Sequence, residues 1–190
     1  HLFAEDVPVS VLEKKYGTPL YIYSSKGLRN NYYSYADALK DIPHLICYGM
    51  KANSNLSVLS ILAKLGSGFD IVSGGELARV KKAGGDTSRI VFSGVGKQEE
   101  EIATALEAGI FAFNVESIAE IELIEYVAKY QGMKAPISVR TNPDVDPKTH
   151  PYISTGLAAN KFGIPDNEVM DIYERLASSA HLEIKGIDCH

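Results

Sequence analysis

The stretch Leu45-Ile46-Cys47-Tyr48-Gly49-Met50-Lys51-Ala52-Asn53 runs a mostly apolar, strand-like segment straight into a lysine. Desolvating an ammonium group is costly unless it is paired or chemically altered. Lys51 is therefore either a solvated lysine beyond a strand or an amine wanted inside a site, where it can condense with a carbonyl. Comparable residues follow other apolar runs: Asn53, Asp70 and Ser73, Ser93, Glu116, Arg140 and Asn142, and His190. Parallel strands would bring this amine, these carboxylates, the guanidinium and the imidazole to one mouth. The set excludes several chemistries. The histidines are scattered and the cysteines far apart, so no metal-ligand spacing occurs and no metal is expected. No Gly-x-Ser-x-Gly elbow is present. Asp70 and Glu116 could serve as a glycosidase pair. Gly94-Val95-Gly96-Lys97 lacks the third glycine of a dinucleotide fingerprint and the pattern of a phosphate loop.

The elements that must position these residues follow a repeat. Strand-like runs begin at Ile46, Phe69, Ile90, Phe111 and Ile137, spaced by 23, 21, 21 and 26 residues. Helical patterns separate them, with Val58, Leu59, Leu62 and Ala63, and Ile118, Ile121, Ile124 and Ala128, at three- and four-residue steps. Asn53 or Ser54 can cap the first helix. Ser73 with Glu76 and Ser117 with Glu120 have capping-box spacing, while Gly66, Gly84 and Gly109 sit where helices should stop. Strand-helix units of this length imply parallel strands with right-handed crossovers, in an open sheet or a (β/α)8 TIM-type barrel, and the regular period favours the barrel. A sixth strand-like run starts at Ile184, 47 residues after Ile137. A helix from about 166 to 178 fills part of that interval. The rest, 142–165, is expected as a binding loop or a lid over 144–162, carrying His150, Tyr152 and Lys161. Six of eight barrel strands are thus expected over residues 24–190. Residues 1–23 form a separate segment with a helix at 8–16, a stop at Gly17 and a β-run from Leu20 to Tyr23.

Composition sets the frame. The chain has 190 residues, 45% hydrophobic and 23% charged, as in ordinary globular proteins. Its net charge of -5, without a basic stripe, gives no reason to expect nucleic acid or an anionic membrane as a partner. No apolar run is long enough to span a bilayer and no signal peptide is visible, so the expected compartment is the cytoplasm. Cys47 and Cys189 read as small buried hydrophobes.

Tyr48-Gly49-Met50-Lys51-Ala52-Asn53 resembles the cofactor-lysine motif of the fold type III pyridoxal-phosphate decarboxylases, which share the alanine racemase-like barrel. Phe69-Asp70-Ile71-Val72-Ser73-Gly74-Gly75-Glu76 resembles that family's second motif. His150-Pro151-Tyr152-Ile153-Ser154-Thr155-Gly156, with Lys161-Phe162-Gly163-Ile164, is similar to the diaminopimelate decarboxylases in particular. So are Ala4-Glu5-Asp6-Val7-Pro8 and Tyr16-Gly17-Thr18-Pro19-Leu20-Tyr21. The resemblance implies that Lys51 holds pyridoxal 5'-phosphate and that His190 stacks on its ring. It places Asp70 beside both, with Glu76 and Arg140 lining the pocket. It also implies a phosphate cradle, a partner for the pyridine nitrogen, a proton donor and a C-terminal β-domain beyond His190. Residues 1–23 would join that domain, and the active sites would be shared across a homodimer. The expected reaction is decarboxylation of meso-2,6-diaminopimelate to L-lysine, the last step of lysine biosynthesis. An ornithine- or arginine-type decarboxylase and a catalytically inactive, partner-binding homologue remain as alternatives.

Overall fold

A computed structural model describes residues 1–142 and 162–190. Strands β1 (Phe3–Ala4) and β2 (Val7–Pro8) form a small antiparallel pair ahead of helix α1 (Val9–Tyr16). The chain continues through α2 (Ser25–Ala38), β3 (Cys47–Gly49), α3 (Leu56–Lys64), β4 (Gly68–Ile71) and α4 (Gly74–Lys82). Next come β5 (Ile90–Phe92), α5 (Glu99–Glu107), β6 (Ala112–Val115), α6 (Ile118–Gln131) and β7 (Ala135–Asn142). The described chain resumes before β8 (Ile164–Pro165), α7 (Val169–Ser178) and β9 (Leu182–Asp188).

The six expected strands, β3, β4, β5, β6, β7 and β9, pair in parallel in that order, as an arc of a (β/α)8-type barrel requires. Residues on one face alternate with residues on the other. Phe69, Ile71, Phe92, Phe113, Val115, Ile137 and Val139 are fully buried and belong to one core cluster with residues of α3 to α7. The opposite, concave face carries Asp70, Ser93, Asn114, Glu116 and Arg140. Two-residue β8, too short to show any periodicity, also pairs with β7 at Thr141 and Asn142. The β-run expected at Leu20–Tyr23 forms no strand. No described strand pairs with it, and Tyr21 is 86% exposed.

The helix starts show how the sequence sets each strand end. Ser73 Oγ accepts from Glu76 N, and the Glu76 carboxylate reaches back to Val72 N at 2.7 Å. Phe113-Asn114-Val115-Glu116-Ser117-Ile118-Ala119-Glu120 repeats this device. There Ser117 Oγ accepts from Glu120 N, and Glu120 Oε2 accepts from Glu116 N at 2.8 Å. In both, one carboxylate satisfies the N–H of the residue that links the strand to the helix cap. The cap of α3 is Asn55, whose Oδ1 accepts from Ser57 N at 2.9 Å. Asn53, expected there, instead accepts from Asn55 N and holds the turn after Lys51. Gly66, Gly84 and Gly109 do end helices, with φ of +86°, +81° and +65°.

Gly68 is required for a different reason. A Cβ there would lie 2.3 Å from Arg89 O and 2.7 Å from Cys47 Sγ, so β3 and β5 could not both hold their places beside β4. Gly68→Ala is expected to lower the stability of the full-length protein by about 1–3 kcal/mol in thermal or urea melts. Gly96→Ala, whose Cβ meets nothing within 4 Å, serves as the near-neutral control.

Candidate active site

Lys51 owes its position to its neighbours. Strand β3 ends at Gly49, and Met50, only 1% exposed, drops into the core while its N–H donates to Asp70 O. Ala52 N donates back to Gly49 O, and Tyr48 Oη donates to Asn53 O at 3.1 Å. The buried methionine and these bonds fold the chain over, leaving Lys51 on the outside of the turn. The lysine therefore does not end a core strand; it stands on a pinned turn above one.

A cavity of about 320 Å³ opens beneath that turn. Lys51, Asp70, Ser93, Glu116, Arg140 and His190, six of the strand-end residues singled out from the sequence, all line it. Arg140 Nη1 lies 3.2 Å from Glu116 Oε1, and Arg140 Nε lies 4.0 Å from Asp188 Oδ2. The guanidinium also lies over the Phe162 ring, 5.4 Å from its centre. Glu116 is almost wholly enclosed, with 2% of its side chain exposed. Its contact with Arg140 is an ion pair whose geometry gives neither carboxylate oxygen a hydrogen bond, and Asp70 Oδ1 is buried and likewise unbonded. Burial pushes the Asp188 carboxyl above its ordinary range; Arg140 opposes this, while the Asp70 and Glu116 charges reinforce it. Cys47 lines the same cavity, and burial pushes its thiol up to about 11.

Glu76 stands apart from this lining, because its carboxylate is engaged with Val72 N. His150, Tyr152 and Lys161 lie outside the described residues. Cys189 is exposed rather than buried, since it follows the last residue of β9. Two wall residues went unnoticed in the sequence. Asn114 stands two positions before Glu116, and strand alternation alone would have put both on one face. Asp188 gave no such signal. A bulge in β9 leaves Lys185 without a partner, so that Ile184 pairs with Ile137 and Gly186 with Ser138. The shift sets Asp188 opposite Arg140; an unbroken ladder would have put Ile187 there.

The arc belongs to a barrel-type fold, in which chemistry sits at the C-terminal ends of the strands, and the amine over that mouth is a group able to condense with a carbonyl. Residues 26–190 match the family described as "Pyridoxal-dependent decarboxylase, pyridoxal binding domain", and the chain belongs to that family. Diaminopimelate decarboxylase of Pseudomonas aeruginosa is 56% identical over 189 residues, covering 100% of this chain and 46% of that protein. The crystal structure of diaminopimelate decarboxylase from Helicobacter pylori complexed with L-lysine superposes with a TM-score of 0.94 at 47% identity, over 96% of this chain and 46% of that one. The enzyme from M. jannaschii, also in co-complex with L-lysine, gives 0.92 at 41% identity, over 99% of this chain and 45% of that one. The chain thus spans about half the length of the relatives it matches.

The residues present fit pyridoxal phosphate. An amine stands at the mouth, and the unbonded oxygens of Asp70 and Glu116 are acceptors suited to a proton-bearing nitrogen. They do not suit a phosphate, which must be held by other groups.

The Asp188 carboxyl gives a pH test with a definite sign. Its folded-state proton is held more tightly than its unfolded one, so ionising it detracts from stability as pH climbs past the unfolded value of about 3.9. Asp188→Asn should therefore stabilise the full-length protein at neutral pH, with the gain shrinking toward acid. Urea midpoints at a series of pH values check this; a variant less stable than the parent at neutral pH would contradict it.

Proposed function

We propose that the intact protein is a pyridoxal-phosphate enzyme that decarboxylates meso-2,6-diaminopimelate to L-lysine and carbon dioxide, the last step of lysine biosynthesis. One observation carries the reading: whole-chain identity of 56% to a diaminopimelate decarboxylase, in a chain that holds Lys51 over a cavity of acidic acceptors. When bound, pyridoxal phosphate supplies an electron sink for the pair left on carbon as carbon dioxide departs.

The chain's own residues have separable tasks. Lys51 would hold the cofactor through its ε-amine. Asp70 offers its unbonded Oδ1 to a proton-bearing nitrogen near the mouth. Arg140 bridges Glu116 and Asp188 in the cavity wall and so offsets their mutual repulsion. His190, at the cavity wall, presents a flat ring for stacking, as the family resemblance implies. The carbon that loses carbon dioxide must gain a proton, and the resemblance assigns that donor to sequence beyond His190.

The intact protein is proposed to be a cytoplasmic homodimer; among the described residues no helix is long and apolar enough to cross a membrane. Residues 1–23 are proposed to pack on a β-domain outside this chain. Leu2, Phe3, Val11, Tyr16 and Tyr21, all exposed here, supply the apolar surface for that contact.

Borohydride treatment of the full-length holoenzyme, followed by peptide mass spectrometry, should find the reduced cofactor on Lys51. A label on another lysine, or on none, rejects the assignment. Carbon dioxide release should be followed with diaminopimelate, ornithine, arginine and lysine offered separately. Diaminopimelate should be strongly preferred, and preference for one of the others would move the protein to a different branch of the family.

A further inference from the structure

Lys97 is the most deeply buried cation among the described residues, with none of its side chain exposed, yet it does not enter the cavity. An ammonium has three donors, and all three are used. Lys97 Nζ donates to Gly94 O at 2.8 Å, to Asn114 O at 2.8 Å and to Glu120 Oε1 at 2.5 Å. It also lies over the Phe92 ring, 5.5 Å from its centre. The second oxygen of Glu120 accepts from Glu116 N. Gly94, Asn114 and Glu116 all line the cavity. One ammonium thus grips three wall residues from behind: two directly, through their carbonyls, and the third through a carboxylate. Glu116 in turn meets Arg140 at 3.2 Å.

Burying an ion pair is a poor way to gain stability, because well-packed apolar residues often do as well. What the pair supplies here is placement. The carbonyls of Gly94 and Asn114 belong to neighbouring units of the repeat, one after β5 and one within β6. An apolar side chain could fill the space beneath them but could not fix their orientation. The equivalent junction after β4 has the reaching glutamate, Glu76, on Val72 N, but Val72 is not part of the cavity lining. Among the described residues, only at β6 does the device carry a buried lysine, and only there does the tethered residue line the cavity.

We infer that Lys97, with Glu120, is a positioning residue that holds Glu116, and through it Arg140, at the wall of the cofactor cavity. The affinity part of the test rests on the cofactor reading above; the exchange part does not.

The test uses full-length protein bearing K97M, the doubly neutral K97M/E120Q, E116Q, and K97M/E116Q. K97M strands the Glu120 carboxylate and should melt well below the parent. K97M/E120Q keeps an acceptor for Glu116 N without a stranded charge, and should recover much of that loss. If Lys97 acts through Glu116, pyridoxal phosphate should bind about tenfold more weakly to K97M/E120Q despite its recovered melting temperature, an effect of the size seen for outer partners of a site. Adding K97M to E116Q should then weaken binding no further, since coupled residues are not additive. Hydrogen exchange at the Glu116 amide should quicken about tenfold in K97M/E120Q. Affinity that returns with stability, equal losses from K97M in both backgrounds, or unchanged exchange at Glu116 would each overturn the inference. Were the parent protein to bind no pyridoxal phosphate, the cofactor reading would fall, and exchange at Glu116 would decide this inference alone.

Discussion

A carboxylate in the first turn of a helix, bonded to the N–H of the residue that links it to the preceding strand, is the contact from which the site takes its shape. Backbone groups at a strand-helix junction have no partner in either element, and a loop there could settle in several ways. Glu76 and Glu120 each remove that freedom by reaching back four residues, to Val72 and Glu116. Glu101 extends the scheme sideways, accepting from Gln98 N on its own helix and from Gly74 N at the start of α4. The junctions that open α4 and α5 are thereby fastened to each other.

Charge then decides what the cavity can accept. Among the described residues, the concave face brings Asp70, Glu116 and Asp188 together with one guanidinium, Arg140, and one amine, Lys51. Three carboxylates against two cations leave an acidic surplus, in which the Asp70 and Glu116 charges add to the burial that raises the Asp188 carboxyl. Such a cavity favours an occupant that brings protonated nitrogen to it. The pyridoxal-binding assignment and this electrostatic character agree, although they rest on independent observations.

Much of this could be read without coordinates. The spacing of apolar runs gives the parallel order, and the strand-end residues converge as parallel strands require. The turn bearing Lys51 was legible as a motif, but its mechanics depend on Met50 falling inward, which no periodicity reveals. Glu76 has two readings in the sequence, as a cap and as a pocket residue, because one residue type serves both; the structure shows the capping bonds, to Val72 N and from Glu76 N to Ser73 Oγ. Asp188 was hidden by a bulge, since a single extra residue reverses which side of a strand faces inward. Lys97 was noticed only as part of a failed phosphate motif. Its three acceptors come from residues 3, 17 and 23 positions away, a separation that local pattern cannot span.

Cys47 bears on the selectivity of the cavity. Thiolates add readily to aldehydes, and a cavity that receives an aldehyde beside a cysteine risks capture by sulfur in place of nitrogen. With its thiol pushed up to about 11, Cys47 remains protonated at neutral pH and is a poor competitor. The burial responsible comes partly from β4, whose Gly68 lets the strands close around the sulfur. The packing that completes the sheet thus also keeps the thiol in its wall in the less nucleophilic, protonated form.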